Sequence, residues 1–124
     1  MIGLQEVKAQ RRGKLAQLLK GALNTIPGGV VGVMVDESGK LAGQNSLIAT
    51  MKAYIIYDDA KPAPRNVVFT EVSSQTRNKL ANKIQDVLQQ IGADKFICVY
   101  SDEGGKLGGG GFLALGKGYI FYEA

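Results

Sequence analysis

Three short stretches of this chain set two carboxylates close to a lysine. They are Asp36-Glu37 before Lys40, Asp58-Asp59 before Lys61, and Asp102-Glu103 before Lys106. Oxygen donors of this kind hold hard cations such as Mg²⁺ when several converge. Each pair closes a β-prone run: VMV, IIY or VYS. Acidic and small residues also populate turns for conformational reasons alone, and a following Lys offsets their charge. Antiparallel neighbours would send successive strand ends to opposite sheet edges. The sequence therefore favours turns over a metal centre, and no metal ligand is assigned.

Glycine is the second candidate. Eight of the 17 glycines fall within residues 104–118. Gly108, Gly109, Gly110 and Gly111 could turn backbone N–H groups toward an anion, with Lys106 or Lys117 beside them. Residues 111–118, GFLALGKG, fit the G-x-x-x-x-G-K half of a phosphate-binding loop. The fit fails on chemistry: no Ser or Thr follows Lys117 to hold a metal, and no helix follows. The stretch reads better as a loop that orders against a partner or a neighbouring subunit.

The third candidate is cationic. Residues 1–23 hold Lys8, Arg11, Arg12, Lys14 and Lys20 against Glu6 alone, so the whole net charge of +4 sits there. Lys8, Arg11, Arg12 and Lys14 could meet phosphates or an acidic protein surface. No aromatic residue is interleaved with them to stack on bases. The chain has no His, no Trp and one Cys. Ser/His/Asp triads, Cys/His dyads, His-ligated zinc and internal disulfides are therefore excluded. Cys98, inside FICVY, reads as a buried small hydrophobe. The five tyrosines all lie in strand-like runs.

These residues need elements to position them. Residues 3–23 read as one helix, with Leu4, Val7, Leu15, Leu18, Leu19, Ala22 and Leu23 on a face. Arg11 and Gly13 interrupt that face, so residues 1–14 are expected to form a basic helical arm. Asn24 and Pro27 end the helix. Strands are expected at 30–36, from about Leu41, at 47–57, 67–72, 95–101 and 111–123, with a turn at 37–40 and loops at 58–66 and 101–111. Leu80, Ile84, Val87, Leu88 and Ile91 mark a helix over 74–91, capped by Ser73 or Ser74 and stopped by Gly92. No repeat occurs at solenoid periods. The expected fold is α+β in one domain, 1–124. It has a single mostly antiparallel sheet of about five strands and two helices on one face, in the order α-β-β-β-α-β-β.

Residues 28–43, GGVVGVMVDESGKLAG, following a helix, resemble the opening hairpin of small roadblock-type signalling adaptors. Those adaptors continue with a long helix, whereas LIATMKAYIIY reads as strand. The element order is similar to that of phage tail-terminator ring subunits, which pair a two-helix layer with a sheet. That layout implies an assembly role.

Side chains poor in catalytic groups, beside adaptable loops, point to a non-catalytic module that works through protein–protein contacts and self-associates. Its expected contacts are Lys8, Arg11, Arg12 and Lys14, with Lys106 and Gly108–Gly111 as a second set. The alternative is nucleic-acid binding by the basic N-terminal helix. A third is a small metal- or phosphate-dependent enzyme. No cofactor is expected. No apolar run spans a bilayer and no secretory leader is recognisable, so a cytoplasmic protein with no membrane partner is expected.

Overall fold

The computed structural model describes residues 1–11, 14–36, 48–102 and 116–124. They form strand β1 (Ile2–Arg11), helix α1 (Leu15–Leu23), and strands β2 (Gly29–Asp36), β3 (Ile48–Asp58) and β4 (Val67–Ser74). Helix α2 (Arg77–Ile91) and strands β5 (Phe96–Asp102) and β6 (Gly116–Glu123) follow. The expected single sheet is not found. Six strands make two three-stranded sheets, ordered β1-β3-β2 and β4-β6-β5. The chain divides into two compact units, Met1–Val67 and Val68–Ala124.

The first element corrects the sequence. Residues 2–11 are a strand, so the basic helical arm does not exist. Leu4 and Val7 stand three apart, which mimics a helical face, but in the strand they point to opposite sides. β1 pairs antiparallel with β3 from Ile2↔Asp58 to Ala9↔Met51, slipping register before Arg11↔Ile48. This long-range ladder satisfies the backbone and overrides the helix preference of Gln5, Glu6 and Ala9. The helix begins only at Leu15, and buries Leu15, Ala16, Leu19 and Leu23.

In the first unit, Val7 and Ala9 of β1 and Met51, Ala53 and Ile55 of β3 are buried. They share one sheet face by register, and α1 packs on β1 and β3. Asn24 ends α1 and ties the unit's last residue to it. Its side-chain amide accepts from the Val67 N–H at 2.9 Å and donates to the Val67 carbonyl at 3.2 Å. The 58–66 connection is a loop as expected. Asp58 accepts from the Ala60 N–H at 3.0 Å, and Asn66 adopts φ 54, a left-handed conformation that Asn tolerates.

In the second unit, α2 packs against β6. Its start is capped by Thr76, which accepts from the Lys79 N–H at 3.3 Å, and not by Ser73 or Ser74. Glycine brings helix and strand together. A Cβ at Gly118 would lie 2.8 Å from Ile84 Cδ1, and one at Gly116 3.1 Å from Leu80 Cδ2. The opposite face carries Phe69, Tyr100, Tyr119 and Phe121, with ring centroids 4.9–6.1 Å apart.

The two units share one plan: strand, helix, then two strands of which the last lies in the middle. The sequence repeats with the plan. Glu6-Val7, Gln10, Arg12, Lys14-Leu15-Ala16 and Ile26 recur sixty-five residues later as Glu71-Val72, Gln75, Arg77, Lys79-Leu80-Ala81 and Ile91. KAYIIY at 52–57 recurs as KGYIFY at 117–122, and DESGKLAG at 36–43 as DEGGKLGG at 102–109. A cross-strand ion pair recurs as well. Lys52 Nζ lies 3.6 Å from Glu6 Oε2, and Lys117 Nζ lies 3.5 Å from Glu71 Oε2. The chain is a tandem duplication of a βαββ unit.

Candidate interaction surface

Of the expected contact residues, Lys8 and Lys14 line one groove, and no other of them joins that groove among the described residues. Lys8 is exposed on β1 and lies opposite Lys52 in the register. Arg11 ends the same strand. Lys14 is exposed just before α1, where it offers no side-chain cap. Arg12, Lys106, Gly108, Gly109, Gly110 and Gly111 lie outside the described residues, as do the turn at 37–40 and the strand expected from Leu41. Asp36 and Asp58 sit at opposite ends of the first sheet, because β2 and β3 run antiparallel. Among the described residues no three His, Cys, Asp or Glu side chains come together to hold a metal.

Cys98 is buried, and burial pushes its thiol up to about 12. The Met1 amino group donates to Asp59 Oδ1 at 2.8 Å and lies 3.7 Å from Asp58 Oδ1. The Asp59 hydrogen bond, then its charge, raises that amine above its ordinary value.

Sequence reasoning missed an apolar surface. β1, β3 and β2 set rows of paired residues on the sheet face away from α1: Leu4, Ile56 and Gly32, then Glu6, Tyr54 and Met34, then Lys8, Lys52 and Asp36. Directly paired residues share a face. Leu4 is 63% exposed and Met34 61%, and Ile2 and Val31 are also exposed. Exposed apolar residues scattered singly are ordinary, but a contiguous set marks an interaction site.

The duplication gives this surface a control within the same chain. Leu4, Met34, Tyr54 and Ile56 correspond to Phe69, Tyr100, Tyr119 and Phe121. The register matches, since Met34 pairs with Tyr54 and Tyr100 with Tyr119. In the second unit these places form the aromatic cluster, where Tyr100, Tyr119 and Phe121 are buried. In the first unit Leu4 and Met34 face solvent, while Tyr54 and Ile56 are half-buried. An apolar alternation in β1 alone would not reveal this, because its other face is apolar too.

No family model, curated protein or solved structure matches this chain. The helix-first layout behind the likeness to tail-terminator subunits is not the observed element order. Among the described residues no helix is long and apolar enough to cross a membrane.

Proposed function

We propose that this protein is a non-catalytic assembly module that self-associates through the exposed face of its first sheet. The observation that carries this reading is the four-place correspondence: three of the four positions, Tyr100, Tyr119 and Phe121, are buried in the second unit, whereas all four are exposed or half-buried in the first. A face of that composition is a covered face elsewhere in the same chain.

The occupant is a second copy. Lys8, Lys52 and Asp36 border one end of the face, with Lys52 paired to Glu6, which leaves Lys8, among the described residues, as the cation without an ion-pair distance at that end. Asp58 and Asp59 outnumber the Met1 amino group at the other. An isologous contact sets the same patch against itself. Stacking two faces antiparallel places Lys8 of one copy toward the Asp58–Asp59 end of the other and joins the Leu4, Tyr54, Ile56 and Met34 centres.

Sedimentation velocity across a concentration series tests this. The expected result is a dimer that the double substitution Leu4→Glu/Met34→Glu converts to monomer with an unchanged far-ultraviolet spectrum. Both side chains are exposed, so the substitution leaves the core intact. A wild-type chain that stays monomeric at the highest concentration overturns the proposal.

A further inference from the structure

We infer that the free edge of β1 is a strand-addition site for an extended acidic peptide, a surface separate from the apolar face. Among the described residues β1 has a neighbour on one side only, β3. The Asp59 N–H donates to the Met1 carbonyl at 3.1 Å, which continues the pairing of Ile2 with Asp58. Antiparallel ladders alternate bonded and non-bonded pairs. The odd residues of β1 therefore bond to β3, while Ile2, Leu4, Glu6 and Lys8 turn their N–H and C=O groups outward. An unpaired row of this kind is a template for another strand.

A groove of about 420 Å³ lies at the C-terminal end of β1, between Lys8, Ala9 and Gln10 on one side and Lys14, Gln17 and Leu18 at the start of α1 on the other. Leu18 gives it an exposed apolar wall. Its two charged residues are lysines, Lys14 from the α1 side and Lys8, whose side chain leaves the edge toward the apolar face, and no carboxylate lines it. Glu6, the one acid on β1, faces Lys52 at 3.6 Å. The groove thus combines outward backbone groups, one apolar contact and positive charge. Alternating apolar and acidic residues on an extended peptide match all three. Phosphate of a nucleic acid matches only the charge.

The test uses a fluorescein-labelled hexapeptide of alternating valine and glutamate, its valine–lysine counterpart, and a labelled oligouridylate. Anisotropy is expected to show binding of the acidic peptide alone. Amide exchange should slow at Leu4, Glu6 and Lys8 on binding and stay unchanged at Gln5 and Val7. Lys8→Gln/Lys14→Gln is expected to weaken binding about three- to tenfold. Lys8→Pro removes one outward donor without touching the β3 ladder and should abolish binding. Met34→Glu lies on β2, across β3 from this edge, and should weaken self-association yet still bind the peptide, so this site and the self-association face fail separately. Absent binding, equal binding of the lysine peptide, or protection of odd-numbered amides overturns the inference. So does tighter binding of the oligouridylate. Protection of the even amides that rises with protein concentration and needs no peptide would also overturn it, and would assign the edge to a second copy.

Discussion

Cys98 and two glycines show how much a single side chain decides here. Burial raises the Cys98 thiol to about 12 from an ordinary value of 9.0. Between those values the unfolded chain has lost the proton that the folded chain keeps, so stability falls as pH rises. The contribution is fully present below pH 9 and is lost as pH climbs toward 12. Urea unfolding of wild type against Cys98→Ala should therefore show a steeper alkaline loss in wild type. A thiol reagent at neutral pH should label Cys98 only after denaturation. Gly28 and Gly21 make opposite predictions. A Cβ at Gly28 would press into the backbone carbonyl of Asp58, whereas Gly21 meets nothing within 4 Å and sits exposed in α1. Gly28→Ala should cost about 1–3 kcal/mol, and Gly21→Ala should gain about 0.5–1 kcal/mol. Both are read from urea midpoints.

At the scale of elements, legibility tracks how local the deciding contacts are. α2 shows all of Leu80, Ile84, Val87, Leu88 and Ile91 on one face, and these are its least exposed residues. Its period and its Gly92 stop were sufficient to place it. The cap was misjudged by two residues, and Thr76→Ala should cost about 1 kcal/mol, measured by thermal or urea unfolding with Ser73→Ala as a neutral comparison. β1 was illegible because it carries apolar residues on both faces and takes its hydrogen bonds from β3, whose paired residues lie 37 to 56 positions along the chain. The division into two sheets was hidden for the same reason: no strand states its partner. The duplication was legible, but only by laying the chain on itself at sixty-five residues instead of at solenoid periods. Two of the three acidic strand ends, DESGK and DEGGK, are the same position of that repeat. Of the candidate site, the lysines at 8 and 14 were visible in the sequence, whereas Leu4, Met34, Tyr54 and Ile56 become one surface only through the register.

At the scale of the molecule, duplication followed by divergence explains both the poor side-chain chemistry and the uneven faces. Each copy keeps the βαββ frame, the Glu–Lys cross-strand pair and the DESGKLAG-like sequence after its second strand. They differ where the second copy substitutes aromatic rings for Leu4, Met34 and Ile56. A surface that has stayed aliphatic, exposed and bordered by both charge signs suits reversible contact with a copy of itself. The proposed self-association would place function at this scale in that surface. The most direct measurement is an isotope-filtered nuclear Overhauser experiment on an equal mixture of labelled and unlabelled chains at high concentration. Intermolecular cross-peaks are predicted between the methyls of Leu4, Met34 and Ile56 and the ring of Tyr54. An associated species whose intermolecular cross-peaks arise from other residues, or a sample with none, would contradict the assignment of this face.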